Sequence, residues 1–128
     1  MGFRFEFDLA NKILLLRVEG RLTDESLAEV QQAARKYWVA FDPSAGIVDF
    51  SSVTEFAVSA EYLREIVEQE HPFNRPRFIV APTTVGFGLF RMFQTLGQDT
   101  WPLLRVVRTT DEAFAALLIQ SPHFEPLE

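Results

Sequence analysis

Ser59, His71 and Asp49 are the residue types of a nucleophile, a general base and an orienting acid, the set from which a Ser-His-Asp hydrolase would be assembled. That chemistry needs a serine on a sharp, exposed turn, and Ser59 has no Gly-x-Ser-x-Gly around it. Paired carboxylates for acid-base work are equally unsupported, because Glu61, Glu65 and Glu68 recur at the spacing of one solvated helix face. His71 and His123 stand beside prolines with no second ligand at metal spacing. Cysteine is absent, which excludes disulfides, thiol catalysis and thiolate-held metals. No catalytic residue, metal or cofactor is assigned, and enzyme activity is not expected.

Binding chemistry has more to work with. Pro82-Thr83-Thr84-Val85-Gly86-Phe87-Gly88 follows an apolar run and opens a helical one, the position of a phosphate cradle. Arg91 stands where a dinucleotide fingerprint has its third small residue, and no Gly-Lys-Ser/Thr occurs. What remains is a looser anion site of Thr84 and Arg91, with Arg105 as a further cation for the head group of a small ligand or lipid. The same helix carries Phe87, Leu89, Phe90, Met92, Phe93 and Leu96, more than one buried stripe of about 100° requires. Phe87, Phe90 and Phe93 are therefore candidates for a homodimer surface, the alternative being an unusually deep core helix.

These residues need elements to position them. Phe3 to Asp8 alternates apolar and charged residues as a strand with one wet face, Leu9 to Lys12 is a turn, and Ile13 to Gly20 is a more buried strand, so a hairpin is expected. Thr23 caps a helix with Asp24 and Glu25 in its first turn and Leu27, Val30, Ala34 and Tyr37 or Trp38 as its stripe. Asp42 to Gly46 breaks the chain before a strand at Ile47 to Phe50. A polar loop, Ser51-Ser52-Val53-Thr54, then leads to a helix from about Ser59 to Gln69 with Leu63, Ile66 and Val67 inward. His71 to Pro76 is a loop, Arg77 to Ala81 a strand, Val85 to Leu96 a helix stopped by Gly97, and Leu103 to Val107 a strand. Thr109 and Glu112 form a capping box for a last helix to about Ile119. The order β-β-α-β-α-β-α-β-α predicts one α/β domain over residues 1–119, with a mostly parallel five-stranded sheet, an antiparallel first strand at or near an edge, and an irregular tail over 120–128.

Composition agrees. The chain has 128 residues, enough for a full core without staples. Its net charge of -6 disfavours general nucleic-acid binding, which needs a basic face. The charge is uneven: the acids crowd the first half, whereas Arg75, Arg77, Arg91, Arg105 and Arg108 face Asp99 alone within residues 75–108. Neither a signal-peptide pattern nor an apolar run of about 18 residues occurs, so a cytoplasmic protein with no integral membrane association is expected.

The element order, together with Val48-Asp49-Phe50-Ser51-Ser52-Val53-Thr54, resembles the STAS family of anti-sigma factor antagonists and the CRAL-TRIO-like lipid-binding proteins that share its fold. The resemblance covers most of residues 1–119, and only Asp49 to about Leu63 is like a motif. In that family an Asp-Ser-Ser-Gly or Asp-Ser-Thr-Gly run opens the helix, and its second hydroxyl is phosphorylated by a partner kinase to control binding. Here the run is Ala57-Val58-Ser59-Ala60, so Ser59 keeps the hydroxyl while alanines replace the acid and the glycine. The resemblance implies a regulatory interaction module with Ser59 as the phosphorylation position; the strand-loop-helix position and the acid-rich helix face point to Asp49, Ser51, Ser52, Thr54, Glu61 and Glu65 as the surface for a protein partner, one with a basic face. The competing reading of Ser59 is a helix cap worth about 1 kcal/mol. Asp49 is either an acceptor in a loop-lined pocket or the recipient of N–H groups from the segment that follows it.

Overall fold

The computed structural model describes residues 2–41, 44–68, 75–99 and 101–127. Strand β1 (Gly2–Asp8) and strand β2 (Ile13–Thr23) form the expected antiparallel hairpin, with Phe5 opposite Leu16 and Asp8 opposite Ile13. Its turn is held from within: the Lys12 N–H donates to the Asp8 carbonyl at 2.8 Å, and the Asp8 carboxylate accepts the Asn11 N–H at 3.0 Å and the Asn11 amide at 2.7 Å. Helix α1 (Asp24–Ala40), strand β3 (Ala45–Ala57), helix α2 (Ala60–Glu68), strand β4 (Arg77–Val80), helix α3 (Thr84–Leu96), strand β5 (Leu104–Val107) and helix α4 (Thr110–Ala116) follow. A two-residue strand β6 (Glu125–Pro126) completes the described chain.

The sheet runs β5-β4-β3-β2-β1-β6, with β2 to β5 parallel and β1 antiparallel to both neighbours. Each crossover from β2 to β5 steps in the same direction. Crossovers of one hand that all step one way must put their helices on one face. Accordingly α1, α2 and α3 share a front face, where Leu27, Val30, Leu63, Ile66, Phe90 and Phe93 meet Leu14, Leu16, Phe50, Ile79 and Leu104. With no further parallel strand to reach, α4 folds under the back, where Ala113, Phe114 and Leu117 cover Ile13, Leu15, Ile47, Phe78 and Val80.

Several expectations need correction. Among the described residues the sheet has six strands rather than five, because the tail expected to be irregular holds β6, which pairs with β1 at Glu6 and Phe7, and the Leu127 N–H donates to the Phe5 carbonyl at 2.8 Å. The loop expected after Phe50 is strand: β3 continues to Ala57 against β2. Helix α4 stops at Ala116 rather than Ile119. Leu118 takes φ 60°, and the Leu118 and Ile119 N–H groups donate to the carbonyls of Ala115 and Phe114, a Schellman stop. Phe90 and Phe93 are 2% and 4% exposed and belong to the front core, so they form no dimer surface. Phe87 is half-buried, and the Arg108 guanidinium lies 4.0 Å from its ring. The break at Asp42 and Pro43, the end of the second helix at Gln69, and the loop from His71 to Asn74 lie outside the described residues.

Candidate functional site

From Phe50 onward β3 pairs with β2 alone, because β4 reaches only Gly46 to Asp49. The two strands project beyond the sheet as a parallel ribbon. Register shifts between Arg17 and Glu19 and between Gly20 and Arg21 each give β3 one extra residue, as a bulge does. Phe50, Val53 and Phe56, three apart, thereby all turn to the front core. Ser51, Ser52, Thr54 and Glu55 stay exposed. Gly20 lies opposite Val53 at φ 86°, a backbone state that suits glycine.

The first bulge also sets the environment of Asp49. This buried carboxylate accepts the Ser51 N–H at 2.9 Å and the Ser51 hydroxyl at 2.5 Å, while its other oxygen accepts from Arg17 Nη1 at 3.1 Å. Arg17 Nε donates to Glu6 at 2.7 Å, and Arg4 Nε donates to the same Glu6 oxygen at 3.3 Å. Asp49 is thus one member of a polar ladder that ties β1, β2 and β3 together on the back of the sheet, past the reach of α4. A hollow of about 180 Å³ opens beside it, bordered by Gly2, Arg4, Arg17, Glu19, Asp49 and Ser52. Both signs of charge are interleaved there, so it offers no net field to a charged ligand.

At the tip of the ribbon, Thr23 and Ala57 are partners across the ladder, which brings the starts of α1 and α2 side by side. Thr23 caps α1 by accepting the Ser26 N–H at 3.1 Å, and the Ser26 hydroxyl accepts the Thr23 N–H at 2.7 Å. Ser59 caps α2 by accepting the Tyr62 N–H at 3.1 Å. Asp24, in the first turn of α1, binds Ser59 twice: it accepts the Ser59 N–H and the Ser59 hydroxyl, both at 2.8 Å. One carboxylate therefore sits between two helix starts, where both dipoles favour negative charge. Further along the seam the Tyr62 hydroxyl donates to Gln31 at 3.1 Å. Burial first, then the Asp24 and Glu65 carboxylates, push the Tyr62 phenol above its ordinary range, with Arg35 pulling the other way. The seam is acidic, and Glu25, Glu61 and Glu65 are exposed around it.

The other candidates are dispersed. Thr84 and Arg91 are exposed on α3 at the front, whereas Arg105 extends from β5 over the Phe78 ring at 5.9 Å, on the back, so they share no anion site. Of the two glycines at the start of α3, only Gly86 is needed for close packing. A Cβ there would meet the Phe56 ring at 2.7 Å, and one on Gly88 would meet nothing within 4 Å. Among the described residues no three His, Asp or Glu side chains are grouped to hold a metal ion, and no helix is long and apolar enough to cross a membrane.

Sequence reasoning read Asp24 only as a first-turn acid and gave Arg17 no role. Asp24 has no local signal for its partner, which lies 35 residues on. Arg17 had one: a single charge inside the apolar run Ile13 to Val18 calls for an opposite charge from a neighbouring strand. Compared with models of known protein families and with curated proteins, the chain matches none.

Proposed function

We propose that this chain is a non-catalytic regulatory interaction module, similar in its working to anti-sigma factor antagonists, that docks a partner with a basic surface on the seam between α1 and α2. The observation that carries this reading is the Asp24 carboxylate held between the two helix starts by Ser59, with exposed Glu25, Glu61 and Glu65 around it. The acids at the two helix starts steer a basic partner and fix its register, with Arg35 and Arg64 as opposing charges further along the seam. Ser51 and Ser52, expected on the same surface, lie at Asp49 and its hollow on the back of the sheet, apart from this seam.

Ser59 gives that surface a means of control. Its hydroxyl donates to Asp24, so phosphorylation would remove the donor and set about two negative charges against a carboxylate at hydrogen-bond distance. Asp24 would be expelled from the cap and the seam would open. Loss of binding on phosphorylation is the sign this geometry supports. The test is affinity capture from the source cells with the parent chain and with Glu61→Lys/Glu65→Lys. A partner retained by the parent and lost by the charge-reversed chain is expected. Capture of the same set by both, or of nothing by the parent, would overturn the reading.

A further inference from the structure

Between the front of the sheet and helices α1, α2 and α3 the side chains leave a cavity of about 130 Å³. Its walls are apolar: Leu16 and Phe50 from the sheet, Val30 and Ala34 from α1, Ile66 from α2 and Phe93 from α3. The aromatic rings around it are braced. Phe50 stacks on Phe90 with centroids 4.7 Å apart, Phe93 meets the Trp101 ring edge-on at 5.4 Å, and Trp38 lies so close to Gly46 that a Cβ there would overlap its ring. Rings held in this way do not swing inward to fill the space left by Ala34, the smallest side chain on the buried stripe of α1, so the cavity is preformed. Charge is not on offer to a ligand. Arg35 and Arg77 border the cavity, but Arg77 donates through Nη1 to the Ser44 carbonyl at 2.8 Å and lies 4.2 Å from the Trp38 ring, and both arginines have further partners within the chain. Among the described residues that line the cavity none carries a carboxylate.

We propose that this cavity binds a compact neutral apolar molecule, one aromatic ring or a short branched hydrocarbon chain in size. Volume sets the upper limit. An apolar cavity of about 150 Å³ lined by Leu, Ile and Phe takes up benzene, so the present one holds about a single ring and is too small for a long acyl chain. Polarity sets the class: a charged end would give up its hydration among these walls with no available opposite charge to compensate, whereas a neutral ring gives up only apolar surface and supplies the contacts that the walls lack. The inference is independent of the acidic seam, whose partner would bind on the outside of the same helices.

The test is titration of the chain with toluene, phenylacetate and benzylamine, followed by methyl NMR and by thermal unfolding. Toluene is expected to shift the methyl signals of Leu16, Val30 and Ile66, to leave those of Ile13 and Leu15 in the back core unmoved, and to raise the unfolding midpoint as its concentration rises. Phenylacetate and benzylamine should each bind at least about tenfold more weakly than toluene. Ala34→Leu, which takes up part of the cavity from α1, should weaken toluene binding by at least about tenfold as well. Undiminished binding of toluene by a folded Ala34→Leu chain would overturn the site. If that variant does not fold, the parent decides: no toluene shift at the front methyls, or shifts of equal size in the front and back cores, would overturn the site. Phenylacetate or benzylamine binding as tightly as toluene would overturn the neutral class.

Discussion

Asp24 satisfies the first N–H of one helix segment while it belongs to the first turn of another, so changes at Ser59 propagate across the seam. Ser59→Ala removes a cap and a donor to Asp24, and should lower stability by about 1 kcal/mol in chemical denaturation. Ser59→Glu should cost more, because its carboxylate faces Asp24, and Asp24→Asn in the same chain should recover part of the loss. Asp49→Ala should cost about 0.5–1.5 kcal/mol, since exposed Ser51 exchanges its bonds to Asp49 for water while Glu6 keeps Arg17 paired. Leu118→Gly should stabilise by about 0.5–1 kcal/mol: the side chain is 88% exposed, so little packing is lost, and glycine removes the left-handed strain. At this scale the sequence was informative wherever a partner is local. The cap at Ser59 and the Ser51 N–H on Asp49 follow from their immediate neighbours, but Arg17 and Asp24 find partners 32 and 35 residues away, and only the folded ribbon brings them together.

The hairpin, the four helices and the parallel strands were legible because each carries an unbroken period or a cap. The second half of β3 was not. Its inward residues recur at 50, 53 and 56, a spacing that two bulges create and that the two-residue period of a strand does not match, and its serines and threonine look like a loop. The strand β6 was missed because it has two residues, one of them proline, and is held by anchors elsewhere: the His123 N–H donates to Asp8 at 2.9 Å, and Phe124 stacks on Phe114 of α4 with centroids 6.0 Å apart. Asp8 is therefore the peg on which the tail hangs. Burial by itself would raise its carboxyl, yet the hydrogen bonds from the Asn11 side chain and from the N–H groups of His123, Asn11 and Ala10 outweigh it and hold the group below its ordinary 3.8. A carboxyl depressed in the folded state contributes stability that is present above its unfolded value and lost as pH falls through the folded one. Denaturation midpoints should thus drop below pH 3.8 in the parent, and Asp8→Asn should flatten that drop while lowering stability at neutral pH.

On the scale of the molecule, the phenylalanines divide between the two faces of the sheet: at the front Phe50 and Phe90 stack with centroids 4.7 Å apart and Phe56 meets Phe90 edge-on at 5.9 Å, while Phe78, Phe114 and Phe124 pack at the back. Phe90→Glu should therefore abolish folding, as seen by circular dichroism, instead of splitting a dimer, because it buries a charge without a partner. A helix with apolar residues around much of its circumference cannot reveal from sequence which side meets a core and which a neighbour. Coverage by Arg108 accounts for part of the excess at Phe87. The short pairing of the tail with β1 has a last consequence. It occupies the backbone groups at the margin of the sheet around Glu6 and Phe7, and the proline within it cannot offer an N–H outward. Deleting the chain from Gln120 onward should leave that margin bare and promote growth by margin-to-margin stacking, measurable as light scattering that rises with concentration, more steeply than in the parent, before any loss of helix signal.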